Sequence, residues 1–117
     1  MSLPPDLPVL DRAALQPYSG GDAEVERDFY LQFRDSTAID SAALIATIEG
    51  GDAAAIAASA HRVKGSSRMM GAMRQGQLAE DIERAGRAGN ADAARALSAE
   101  FLAEHEQLLA ALSKVLN

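Results

Sequence analysis

Apolar side chains recur at three- and four-residue intervals from about residue 22 to the end of this chain and nowhere alternate, which predicts helices and no strands. Val25, Phe29 and Phe33 open the first long run. After a weak stretch at Asp35-Ser36-Thr37 the pattern resumes with Ile39, Leu44, Ile45 and Ile48, so two helices or one kinked helix are expected. Gly50-Gly51-Asp52 places a left-handed stop beside an N-cap, as where antiparallel helices meet in a tight turn. The next helix starts near Asp52, carries Ile56, Ala60, Val63 and Ser67 as its stripe, and finishes near Met69 or Met70 with Gly71 at the corner. A further helix follows from about Ala72 with Leu78, Ile82 and Ala85, and Met69, Met70 and Met73 are expected to fill gaps where these two helices meet. Gly89-Asn90 repeats the stop and cap before the last and longest helix, from Ala91 to about Leu116, striped by Ala94, Leu97, Phe101, Leu108, Leu112 and Val115.

Ahead of these helices, residues 1–8 hold three of the four prolines and read as an extended lead-in that packs little. Asp11 caps a short helical turn through Gln16, ended by Pro17 and Gly20-Gly21, and Asp22 offers a second cap. Short connections between long helices force antiparallel neighbours. The expected fold is therefore all-α: an up-and-down antiparallel four-helix bundle with a short extra N-terminal helix, over residues 9–117.

Composition narrows the function. A length of 117 residues suits one domain, and 48% apolar with 4% aromatic suits helices packed closely on alanine. With no cysteine, neither a disulfide nor a thiolate metal site is available. A net charge of −6 without a basic run argues against nucleic acid. No apolar run nears the roughly 20 residues of a membrane span, and Met1-Ser2-Leu3-Pro4-Pro5 lacks the regions of a signal peptide, so no membrane association and a cytoplasmic location are expected. Met1-Ser2-Leu3 is compatible with a vector-derived start, which leaves open whether the chain is free-standing or cut from a larger kinase.

With Ile56 as zero and about 100° per residue, Ala60 and Val63 stay within roughly 40° of the stripe while His61, Lys64, Gly65 and Arg68 fall between roughly 80° and 180°. His61 should face solvent with two cations within a turn. Glycine inside a helix costs about 1 kcal/mol relative to alanine, and this chain uses alanine freely elsewhere, so something opposes a side chain at position 65. Side chains lean toward the helix N-terminus, so a Cβ there is expected to point at the His61 ring, and its removal opens space for an incoming group. Lys64, and Arg68 beyond it, would neutralise a tetrahedral dianion on that ring. Imidazole, with an ordinary pKa of about 6.5, keeps one ring nitrogen free to attack at neutral pH, and in-line phosphoryl transfer asks the carrier only to present it and balance charge.

Ala60-His61-Arg62-Val63-Lys64-Gly65-Ser66-Ser67, followed by Gly71-Ala72, resembles the signature of the histidine-containing phosphotransfer domains of bacterial and fungal multistep phosphorelays. That signature is a His, Lys three on, Gly four on, two small residues, and a Gly about ten on. The resemblance runs from about Pro8 to the C-terminus. It implies a monomeric bundle whose exposed histidine takes a phosphoryl group from one receiver-domain aspartate and passes it to another, with Lys64 near the phosphate. It also implies a carrier without kinase activity of its own, partnered by response-regulator receivers, a hybrid sensor histidine kinase, or both. It further implies that the domain itself binds no cofactor or metal, magnesium belonging to the receiver. Glu83 and Arg87 fall where relatives place a polar and a basic residue near the site. Gln75 departs from the leucine or isoleucine that relatives bury, and with Gly76 beside it predicts disturbed packing in that helix.

Other groups read more plainly. His105, between Glu104 and Glu106, is expected at a surface or boundary position. Glu24-Glu26-Asp28 and Glu80-Asp81-Glu83 read as solvated helix faces, and Ser66 and Ser67 as packed small residues. Three other functions compete. The phosphoacceptor helix of a sensor kinase resembles this one but carries an acid directly after its histidine and a small polar residue four on, where this chain has Arg62 and Gly65. The phosphoacceptor module of chemotaxis kinases shares the His, Lys and Gly spacing, and a non-catalytic helical adaptor needs only the bundle.

Overall fold

The computed structural model describes residues 3–117; the expectations placed on Met1 and Ser2 lie outside them. All regular structure among the described residues is helical. After a 3-10 turn at Arg12–Leu15 come α1 (Gln16–Ser19), α2 (Ala23–Gly50), α3 (Ala53–Met69), α4 (Met73–Arg87), α5 (Ala91–Ala96) and α6 (Ser98–Leu116). Helices α2, α3, α4 and α6 pack pairwise around a square, α2 on α3, α3 on α4, α4 on α6 and α6 back on α2. At 28 residues α2 reaches about 42 Å, which spans the 43 Å long axis of the molecule.

The predicted caps are in place. Asp22 accepts from the backbone N–H groups of Glu24 and Val25, Asp52 from those of Ala54 and Ala55, and Asn90 from that of Ala93. Gly51, at φ +78°, ends α2 in the left-handed region.

Several expectations are corrected. The segment 23–50 is one continuous helix, because its buried stripe is Tyr30, Phe33, Thr37, Ser41, Leu44 and Ile48. Two small polar residues occupy that stripe where the hydrophobic pattern faded, whereas Ile39 points outward at 70% exposure. Pro17 does not end the N-terminal turn; it sits in the first turn of α1, where its missing N–H costs nothing. The last helix divides at Leu97, whose N–H bonds Ala94 O in a tightened turn that leaves the apolar stripe in phase. The lead-in also packs. Leu3 is buried in the core, Arg74 donates to the carbonyls of Pro4 and Leu7, and Asp11 N–H bonds Gly71 O at 2.7 Å. That crossing needs Gly71, at φ +83°, since a Cβ there would stand 2.1 Å from Asp11 O. Of the methionines, Met70 is buried, Met73 partly so, and Met69 is 49% exposed.

The core divides into two apolar regions. One gathers Leu44, Ile48, Ile56, Ala60, Val63, Leu78, Ile82 and Phe101; the other Leu15, Tyr30, Phe33, Met70, Leu108 and Leu112. Between them lies a polar layer with one member from each long helix. Gln75 Nε2 donates to Thr37 Oγ1 and Ser67 Oγ, both at 2.9 Å, and His105 Nδ1 lies 2.7 Å from Gln75 Oε1. Gln75 therefore satisfies a buried polar set, and the packing of α4 is not disturbed there. His105 is partly buried with its ring stacked on Phe101, the boundary position expected of it.

Candidate functional site

On α3 the buried stripe of Ile56, Ala60, Val63 and Ser67 turns His61 outward, leaving its side chain 62% exposed. What reaches it comes from α4. Gly76, Ala79, Glu83 and Gly86 share one face of that helix at three- and four-residue spacing, and the small members let the two backbones approach. A Cβ at Gly86 would stand 2.8 Å from Ala53 O and Ala57 N, and one at Gly76 would stand 3.1 Å from Arg68 Cγ. A glutamate in such a seam is carried against α3.

Glu83 is 2% exposed and surrounded by cations and imidazole. Its Oε2 lies 2.9 Å from His61 Nδ1 and 2.6 Å from an Arg87 guanidinium nitrogen. Its Oε1 lies 2.6 Å from Lys64 Nζ, an ion pair without the alignment of a hydrogen bond. Burial pushes the Glu83 carboxyl up, but Lys64, His61 and Arg87 outweigh it and hold it below the usual carboxylate range. An ionised carboxylate can only accept, so His61 Nδ1 carries the hydrogen and donates it. That tautomer leaves Nε2, on the far edge of the ring, with its lone pair toward solvent.

Lys64, Glu80, Glu83, Arg84 and Arg87 line a recess of about 200 Å³ beside this cluster. Arg68 stands one ion pair away: its guanidinium pairs with Glu80 at 3.2 Å, and Glu80 also holds Arg84. The structure thus brings His61, Lys64, Glu83 and Arg87 together and places Arg68 on the rim.

Two readings change. Glu83 does not belong to a solvated acidic face, and the signal for that was its place in a run of small residues. At Gly65 an added Cβ would meet no atom within 4 Å, the His61 ring included. The glycine therefore relieves no contact within the chain, contrary to the expectation that a Cβ there would crowd the His61 ring.

Comparison with known proteins adds to this geometry. The sequence model of one family, described as Hpt domain, matches residues 28–115. Among solved structures, histidine-containing phosphotransfer protein B from Pseudomonas aeruginosa PAO1 superposes with a TM-score of 0.82 at 24% identity, covering 92% of this chain and 93% of that one. A search of curated proteins finds no match.

Proposed function

The chain belongs to the Hpt-domain family, and from that premise we propose that His61 is the residue on which it carries a phosphoryl group between receiver aspartates. Histidine phosphotransfer in phosphorelay signalling is the function of the family. The observation that carries the assignment to His61 is an imidazole that stays 62% exposed while its Nδ1 is held by a buried carboxylate. His105 offers no rival, being bonded to Gln75 inside the bundle. In the loading step Nε2 attacks the phosphorus of an aspartyl phosphate in line, and Lys64 and Arg87 offset the charge that spreads over the phosphoryl oxygens. Gly65 leaves the approach open. The domain binds no cofactor in this reading; magnesium is supplied by the receiver.

The partners that fit are response-regulator receivers and a hybrid sensor kinase in the same cytoplasmic compartment, met by a monomer. Arg62, Lys64, Arg68, Arg84 and Arg87 are five of the eleven Lys and Arg residues in a chain of net charge −6, and their concentration around one histidine favours an anionic partner site. The flank on the α2 side is different in kind. There two separate hollows lie between α2 and α3, one lined by Phe29, Phe33 and Met69 together with Gln32, Ser36 and Ser66, the other by Asp40, Ala43, Ala58, Ser59 and Arg62. The first hollow, with its Phe29, Phe33 and Met69 side chains, beside a cationic rim suits a receiver helix that docks next to its acidic phosphorylation site.

A labelled receiver phosphate tests this directly. Transfer is expected to the native domain and not to His61→Gln, whereas equal labelling of both removes the assignment. Lys64→Ala should slow transfer by about ten- to a hundredfold, a loss of about 1.4–3 kcal/mol of transition-state stabilisation, with the helical fold retained.

A further inference from the structure

We propose that the hollow between α2 and α6 binds a compact apolar molecule bearing one hydroxyl, a phenol or an alcohol of similar size, whose oxygen bonds to His105 Nε2 and Ser41 Oγ. This goes beyond the carrier role of His61. In the square of helices the α2–α6 seam lies opposite the α3–α4 seam that holds Glu83, so a ligand there leaves the phosphorylation site uncovered.

The lining sets the size and polarity of the ligand. Ala38, Ser41, Ala42 and Ile45 come from α2, and α6 supplies Leu102 and His105. The hollow is open to solvent and holds about 310 Å³. An apolar protein cavity of roughly 150 Å³ already takes up benzene, so a single six-membered ring fits. Leu102 is 45% exposed, apolar surface that such a ring would cover. The apolar walls supply affinity, and the two polar groups set what is recognised.

His105 is a fixed acceptor. Gln75 spends its amide hydrogens on Thr37 and Ser67, so its Oε1 can only accept, and the hydrogen between it and His105 lies on Nδ1. Burial lowers the His105 pKa, which keeps the ring neutral at pH 7.5. The nitrogen left to a ligand is therefore Nε2, with a lone pair and no hydrogen. Stacking on Phe101 holds the ring plane. Ser41 is the complementary group. At 2% exposure its Oγ has no hydrogen-bond partner among the described residues, whereas Ser36, Thr47 and Ser66 each bond back to a carbonyl of their own helix. A buried hydroxyl without a partner is costly. Rotation about its Cα–Cβ bond gives up no hydrogen bond and can bring the O–H to the hollow that Ser41 lines. A ligand hydroxyl then accepts from Ser41 and donates to His105 Nε2, and both groups are satisfied.

Phenol is the probe. Titrated into the full native chain at pH 7.5, it should give saturable NMR shifts at Ala38, Ala42, Ile45 and Leu102 and move the His105 Nε2 nitrogen-15 resonance upfield, as accepting a hydrogen bond does. Toluene, which has the same shape and no hydroxyl, should bind about tenfold more weakly. Ser41→Ala should bind phenol about three- to tenfold more weakly and unfold at no lower urea concentration, since it deletes an unpaired group. Ala42→Leu, at an exposed helical position, should fill the hollow and abolish phenol binding while phosphoryl transfer to His61 stays native. Shifts that grow without saturating, equal affinity for toluene, or phenol binding undiminished in either variant overturns the proposal. The toluene comparison is made on the native chain, so it decides even where a variant fails to fold.

Discussion

Three glycines lie within α3 and α4, and the same substitution should act in opposite directions at two of them. At Gly65 a Cβ meets nothing within 4 Å, so alanine gains helix propensity without a clash. Gly65→Ala is expected to raise stability by about 0.5–1 kcal/mol and to leave phosphorylation near native. Gly65→Gln should gain similar stability and still lose most of its phosphorylation, because a long side chain fills the approach to Nε2. Urea unfolding with a transfer assay on both variants checks the pair; unimpaired transfer by Gly65→Gln would show that the open position does not serve access.

Gly86 reports on the packing of elements. A Cβ there would stand 2.8 Å from backbone atoms of Ala53 and Ala57, which cannot turn aside as a side chain can. Gly86→Ala should therefore destabilise by about 1–3 kcal/mol despite its better helix propensity. By forcing α4 off α3 it should also lengthen the contact between Glu83 and His61, detectable as a shift in the His61 ring nitrogens. These two helices show what a linear reading can and cannot reach. The signature from His61 to Gly71 and the glycine stops at Gly51, Gly71 and Gly89 are local signals, and each lies where expected. Continuity of α2 through Thr37 and burial of Glu83 depend on partners 38 and 22 residues away, Gln75 and His61, and no periodicity within one helix carries that information. Gln75 looked like a fault for the same reason: its partners come from three other helices.

At the scale of the whole molecule, acid acts on two separated layers, and both push the same way. His105 sits between the two halves of the core, where burial lowers its pKa below 6.5 and Glu106 opposes only in part. The unfolded chain thus takes up a proton at His105 near pH 6.5 while the folded one resists it. Stability from this residue is full above about pH 6.5 and declines as pH falls below that toward the folded pKa. Glu83 is a carboxyl held low, so its contribution is present above the unfolded value of about 4.3 and is lost as pH falls through the lower folded one. Urea midpoints measured from pH 8 to 3 should accordingly fall in two steps. His105→Gln, which retains a donor for Gln75 Oε1, should remove the upper step and spare the lower; Glu83→Gln should reduce the lower and spare the upper. A His105→Gln midpoint that tracks the native one between pH 7.5 and 5.5 would mean that the central polar layer does not sense acid.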